Sequence, residues 1–260
     1  PVGGNGLAPF LQRRKNDLYG ILNGVDYDEW DPDFDPYIPA QYSTRNMSGK
    51  KLCKRTLQLI FHLEDREDIP VIAVLSRLAH QKGLDLLVPV IEKIIHTMRV
   101  QFIIVGKGEK RLEEFFRMLP CRYPGKVGSF IGYTEQKAHV VEAGADFLLM
   151  PSLYEPCGLN QVYSLKYGTL PIVRSTGGLK DTVRTYDQVD GSGTGFSFES
   201  PSPEALYDTV GWAVSTYYDR PHHIESMRKS AMHEHFTWVD SALEYEKMYS
   251  RARKRRLQWA

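Results

Sequence analysis

The sequence predicts an α/β fold, a parallel sheet with helices on both faces. Three observations carry this: short apolar, β-branched runs recur along the chain; each is followed by a segment of helical periodicity; and 42% of the 260 residues are hydrophobic, enough for a real core. One large or two modest domains are expected at this length.

The elements follow in order. "VIAVLS" (71–76) reads as the first strand, and Leu84, Leu87, Val88, Ile91, Ile94 and Ile95 form one helical stripe after it, with Pro89 expected to kink or displace that helix. "QFIIVG" (101–106) is the next strand, followed by a helix face of Leu112, Phe115, Phe116 and Leu119. "VGSFIGY" (127–133) precedes helical "TEQKAHVVEAGA", "DFLLMP" (146–151) precedes a helix over 158–167, and "TLPIVRS" (169–175) precedes one opening at "TGGLKDTV". Residues 26–46, rich in Asp-Pro pairs and near neighbours, read as an extended linker, because a residue before proline avoids the helical region. Residues 202–256 read as helical, in pieces broken at Pro221 and near Phe236–Thr237.

Composition removes several function classes. Lys plus Arg total 33 against 32 Asp plus Glu, a balance of +1, so no global field draws the chain to nucleic acid or an anionic membrane. The basic stretch "RARKRR" (251–256) reads as a solvated helix end. Cys53, Cys121 and Cys157 are odd in number and lack C-x-x-C spacing, which argues against a disulfide framework or a zinc knuckle and for a reducing compartment. No apolar run approaches the ~18 residues of a membrane span. The chain opens on Pro1 rather than Met, as expected of a piece of a longer protein.

In an open parallel sheet, ligands bind at the carboxyl ends of the strands, so the residues after each strand are the site candidates. Arg77 and Lys82, five apart across a strand-to-helix turn, could both address one anion; the plain alternative is two surface cations. "GKGEKR" has Arg111 where a dinucleotide fingerprint needs its third glycine, and reads as a tight turn. No G-x-x-x-x-G-K-[ST] motif exists. "STGGLKDTV" offers Thr176, Gly177 and Gly178 before a helix, either a cradle of N–H groups for phosphate or sugar oxygens or a plain helix start. In "YEPCGLNQ" (154–161), Gly158 and the residues after it are expected to begin a helix straight off a strand, aiming N–H groups into a cleft with Glu155 on the same lip. Cys157 reads as a small packing cysteine rather than a nucleophile, since no histidine lies within the motif and only His139 or His80 could approach in space. His222, His223, His233 and His235 lack H-E-x-x-H order, so no metal site is expected.

Five ordered blocks carry a resemblance: "LYGILNGVDYDEWDP", "LSRLAHQKGLD", "QFIIVGKGEKRLEEF", "IGYTEQKAHVVEAGADFLLMPSLYEPCGLNQVYSLKYGTLPIVRSTGGLKDTV" and "FTWVDSALEYEKMY". Together they resemble the bacterial glycogen synthase and plant starch synthase family, retaining glucosyltransferases that use ADP-glucose. The resemblance spans nearly the whole chain. It implies a GT-B architecture, two Rossmann-like domains facing across a cleft, of which this chain is the C-terminal, nucleotide-sugar-binding half. Residues 1–50 would end the N-terminal half and form the interdomain linker, 51–235 the nucleotide-sugar-binding domain, and 236–260 the C-terminal helix and basic tail.

The implied partners are ADP-glucose, an α-1,4-glucan acceptor and the N-terminal half bearing a Lys-Thr-Gly-Gly-Leu loop. No cofactor, nucleic acid or membrane is implied, and the implied location is bacterial cytoplasm or plastid stroma. Residue by residue, Arg77 and Lys82 would neutralise the diphosphate and Glu155 would lie near the glucosyl ring. The backbone of Cys157, Gly158 and Leu159 would hold sugar hydroxyls, with Asn160 by the phosphate. Tyr133 would stack on adenine, and Thr176, Gly177 and Gly178 would complete the sugar pocket. Many related GT-B enzymes carry a second glutamate, eight positions after the first, on the ribose. Tyr163 stands there, so the ribose contact is left unassigned. The alternatives are another GT-B enzyme, UDP-sugar-dependent and retaining, or a non-catalytic nucleotide-sugar-binding module.

Overall fold

The computed structural model describes residues 6–258. The outer ends of the first and last segments named above, residues 1–5 and 259–260, lie outside the described residues. Two compact units form: the described residues up to Tyr27 with those from His235 onward, and residues Asp28–Glu234.

The smaller unit contains α1 (Ala8–Arg13) and the closing helix, Trp238–Gln258. Val25 forms an isolated parallel bridge with Thr237, and the Ser241 hydroxyl donates to Leu22 O at 2.8 Å.

The larger unit runs α2 (Ser48–Ile60), β1 (Val71–Leu75), α3 (Leu84–Leu87), α4 (Ile91–Thr97), β2 (Gln101–Gly106), α5 (Lys110–Arg122), β3 (Val127–Ile131), α6 (Glu135–Gly144), β4 (Phe147–Met150), α7 (Asn160–Lys166), β5 (Leu170–Arg174), α8 (Gly177–Thr182), β6 (Phe196–Phe198), α9 (Pro203–Asp219) and α10 (Pro221–Met232); α11 (Trp238–Gln258) follows in the other unit. The six strands form one sheet in the order β3-β2-β1-β4-β5-β6, every pair parallel. β1, β2 and β4 are buried at every position, which is why their sequences read as unbroken apolar runs.

Two local features follow from single residues. The helix expected after β1 is divided into α3 and α4, with Val88, Pro89 and Val90 between them, because Pro89 has no N–H to continue the ladder. Its stripe nonetheless points inward: Leu84, Leu87, Ile91, Ile94 and Ile95 are buried.

The structure departs from the extended linker expected over residues 26–46. The Asp-Pro pairs do exclude helix, and turns form instead, but Trp30, Ile38 and Tyr42 are buried in the core cluster. The Tyr42 hydroxyl donates to Tyr167 O at 2.8 Å, and Lys166 pairs with Asp31 at 2.8 Å. Aromatic burial holds this segment where composition predicts freedom.

Candidate functional site

β1 has β2 on one side and β4 on the other, and the chain crosses from one side to the other between them. Loops leaving the carboxyl ends of β1 and β4 therefore part in opposite directions and leave a crevice, the general ligand position of open parallel sheets. Residues 76–83 form one lip and residues 151–159 the other.

The lips are tied by their backbones. Leu153 N–H donates to Gln81 O at 2.9 Å, and Gln81 Nε2 donates to Tyr154 O at 3.3 Å. Gly83 turns at φ +70°, and an added Cβ there would overlap Pro151 O, so glycine is required both by the left-handed backbone and by the close approach. From β5, the Arg174 guanidinium donates to Ser152 O at 2.7 Å and to Leu153 O, fixing the second lip from beneath.

Glu155 lies across this junction. Its Oε2 accepts from Lys82 Nζ at 2.5 Å and from Ser152 Oγ at 3.2 Å, and the side chain is only 8% exposed. A cation from the β1 loop and a carboxylate from the β4 loop thus meet at the switch point. Arg77 is exposed on the same lip as Lys82, its guanidinium donating to Gln81 Oε1 at 3.0 Å. Among the described residues, no acceptor takes the backbone N–H of Cys157, Gly158 or Leu159. Three such donors on one lip can receive anionic or hydroxyl oxygens at almost no reorganisation.

Two sequence expectations are corrected here, the start of α7 and the free N–H of Gly178, and Asn160 is found to make a structural bond. The helix does not start at Gly158 straight off the strand: β4 ends at Met150, a loop intervenes, Gly158 turns at φ +72°, and α7 begins at Asn160. The Asn160 side chain donates to Leu75 O at 2.7 Å, so its amide nitrogen is occupied in tying α7 to the end of β1. Gly178 does not present a free N–H, because it donates to Glu155 O at 2.9 Å. Its glycine is required for a different reason, since an added Cβ would overlap Cys157 O. Gly177 is exposed beside it, and Thr176 precedes α8 in an extended conformation without a side-chain cap bond. Tyr133, 57% exposed, follows β3 at the same sheet edge.

Among the described residues no histidine bonds to Cys157; the Nδ1 atoms of His139 and His80 lie against Asp35 and Asp85 instead. Ser152, Arg174 and Gln161 were missed from sequence. Gln161 is fully buried and its Nε2 donates to Cys157 O and Gly158 O, both at 3.0 Å, pinning the turn that exposes the three N–H groups. A glutamine inside an apolar helical run was the one available signal. At the opposite strand ends a cavity of about 320 Å³ is lined by Lys54, Asp146, Tyr217 and Arg228. There Lys54 and Arg228 both clasp Asp146, so those charges serve one another.

A doubly wound parallel sheet with a cation, a carboxylate and free N–H groups at its switch point is an open α/β module with a ligand position at its strand ends. The chain belongs to the group 1 glycosyl transferases, whose family model matches residues 58–230. Glycogen synthase 1 of Geobacter metallireducens is 51% identical over 257 residues, covering 99% of this chain and 51% of its own length. The glycogen synthase of Aeromonas salmonicida is 46% identical over 251 residues, covering 96% and 51% respectively. The catalytic domain of starch synthase IV from Arabidopsis thaliana, solved bound to ADP and acarbose, superposes with a TM-score of 0.88 at 29% identity, covering 96% of this chain and 52% of that one. The chain spans about half the length of the curated relatives it matches.

Proposed function

We propose that this chain is the donor-binding half of a retaining glucosyltransferase that moves glucose from ADP-glucose to the non-reducing end of an α-1,4-glucan. The observation that carries it is the Lys82–Glu155 pair at the switch point, at 2.5 Å, beside the free N–H groups of Cys157, Gly158 and Leu159. Similarity to glycogen synthases and to an ADP-bound starch synthase supports the nucleotide sugar and the glucan.

In this assignment Lys82 and Arg77 face the diphosphate. As the anomeric C–O bond breaks, its electron pair passes to the phosphate oxygen, and the two cations stabilise the charge that develops there. Glu155 offers negative charge to the oxocarbenium-like sugar, while free N–H groups on the 157–159 turn orient its hydroxyls. Front-face attack by the acceptor hydroxyl, with its proton passing to the departing phosphate, gives retention without a covalent sugar on Glu155. Exposed Tyr133 supplies an aromatic face for adenine. The donor-binding unit is residues 28–234, wider at its N-terminal edge than the 51–235 expected from sequence, because the Trp30–Tyr42 segment packs into its core.

The acceptor and the closure of the cleft are assigned to an upstream half. The chain alone then binds ADP but does not elongate glucan. The test uses the longer protein carrying both halves, with labelled ADP-glucose and glycogen. Glu155→Gln is expected to lower kcat by ~10²-fold or more, because the lost interaction strengthens only as the bond breaks. Near-normal turnover would remove the catalytic assignment.

A further inference from the structure

His139, in α6, has a ring that is completely buried and fixed on every side but one. Trp30 stacks on it with ring centroids 3.7 Å apart and planes 14° apart, and Tyr37 leans against it at 4.9 Å. Its Nδ1 lies 2.8 Å from Asp35 Oδ2, which also accepts from the Tyr167 hydroxyl at 2.5 Å, while Asp35 Oδ1 accepts from Tyr37 N–H at 2.8 Å. Asp35 is therefore an acceptor in every contact, and Nδ1 must be the donor. That leaves Nε2, buried and without a hydrogen-bond partner among the described residues. An unpaired buried polar atom carries an uncompensated desolvation cost, and this ring, stacked and tethered, cannot turn to find a partner.

Two carboxylates approach this ring. Glu135, one helical turn earlier on the same face of α6, and Glu29 each place a carboxylate oxygen so that the three potential ligand atoms all lie within 4.8 Å of one another. Ligands held at ~2.0–2.2 Å by one ion are at most about 4.4 Å apart, so a small rotamer adjustment separates this cluster from ligation, and both glutamates are exposed. The carboxylate holding Nδ1 is the usual support that orients a metal-bound histidine and raises its basicity.

We propose that Glu29, Glu135 and His139 form a divalent-cation site. One imidazole and two carboxylates suit zinc or manganese better than calcium or magnesium, which favour oxygen alone. The site joins the 28–37 segment to the start of α6, immediately after Tyr133. A bound cation would hold that corner rigid, two residues along the chain from Tyr133. The site itself needs no donor-binding function, so it stands or falls separately from the glucosyltransferase assignment.

The test is calorimetric titration of Zn²⁺, and separately Mn²⁺, into chelator-stripped protein, with quenching of tryptophan fluorescence as a second readout because Trp30 stacks on the ligand ring. One saturable site is expected, weakened at least roughly tenfold by Glu135→Gln and again by Glu29→Gln, on the scale typical of perturbed metal sites. Both glutamates are exposed, so these variants remove no buried side chain, and far-UV circular dichroism checks that each is folded; His139→Asn removes a buried, stacked ring and is supporting only. No saturable binding would overturn the proposal. So would binding undiminished in the Glu29→Gln/Glu135→Gln double variant, which would place the ion on His222 and His223 or elsewhere. Detection by ¹⁵N NMR of a proton on Nε2 that saturating Zn²⁺ does not displace would also overturn it, making His139 an internal imidazolium.

Discussion

Lys82→Met should destabilise the protein mainly through what it leaves behind. Glu155 is 8% exposed and, among the described residues, accepts from Lys82 Nζ at 2.5 Å and Ser152 Oγ at 3.2 Å, so without Lys82 a nearly buried carboxylate keeps one weak neutral donor. Breaking a fully buried pair costs about 3–5 kcal/mol, but the Lys82 side chain is 18% exposed, and water at that edge reduces the expected loss to about 2–3 kcal/mol. Glu155→Gln in the Lys82→Met background should cost little more, since the neutral amide has no charge to strand. A double-mutant cycle by urea unfolding, followed by far-UV circular dichroism, should show a coupling of about 1.5 kcal/mol or more. The same geometry predicts a binding effect of opposite sign: Glu155→Gln releases Lys82 and should tighten ADP by up to about tenfold, close to 1.4 kcal/mol. Single-variant effects that add to within about 0.5 kcal/mol, with unchanged ADP affinity, would refute the pairing.

Tyr133→Ala should weaken ADP by roughly 1 kcal/mol and leave inorganic pyrophosphate unaffected, because stacking acts on the base alone; equal losses measured by calorimetry would count against the adenine contact. Asp146 predicts a pH effect. Burial would raise this carboxyl, but the Lys54 and Arg228 charges, the Lys54 hydrogen bond and Val71 N–H at 2.9 Å hold it below its ordinary value. A lowered folded value means the contribution is present above the ordinary carboxylate range and disappears as pH falls through the folded value. Asp146→Asn should therefore cost about 3 kcal/mol at neutral pH, and the gap to the parent protein should narrow below about pH 4. A gap that stays constant across urea midpoints at pH 7 and pH 3 would contradict it.

Why some of this was legible in sequence and some not has physical causes. β1, β2 and β4 are buried along their whole length, so β-branched and aliphatic residues fill them and the pattern is plain. β6 is three residues, Phe196–Phe198, too short to leave a period. α2 was overlooked because Lys50, Lys51, Lys54 and Arg55 interrupt its apolar face, although Lys50 and Lys54 are themselves buried: Lys50 Nζ donates to Ala143 O and Tyr167 O at 3.0 Å and to Thr169 Oγ1 at 2.8 Å. The 26–46 segment reads as a linker because its Asp-Pro pairs announce the absence of helix and say nothing of where Trp30 is buried.

At the site, Arg77, Lys82 and Glu155 could be picked out by their places after strands. Their meeting could not, because it depends on β4 lying beside β1, a matter of strand order that periodicity does not encode. The supporting residues were hidden for a related reason. Arg174 and Gln161 act on backbone carbonyls and Ser152 on the Glu155 carboxylate, and many polar side chains can do that once the fold brings them there.

The most direct test of donor binding at the β1–β4 switch point is calorimetric titration of ADP into this chain and into its Arg77→Ala and Lys82→Ala variants, with UDP as competitor. ADP should bind at one site and be displaced only poorly by UDP. Each charge removal should weaken it by ~1–3 kcal/mol, the scale of a charge-assisted contact. Absence of ADP binding, or affinity unchanged in both variants, would contradict the account.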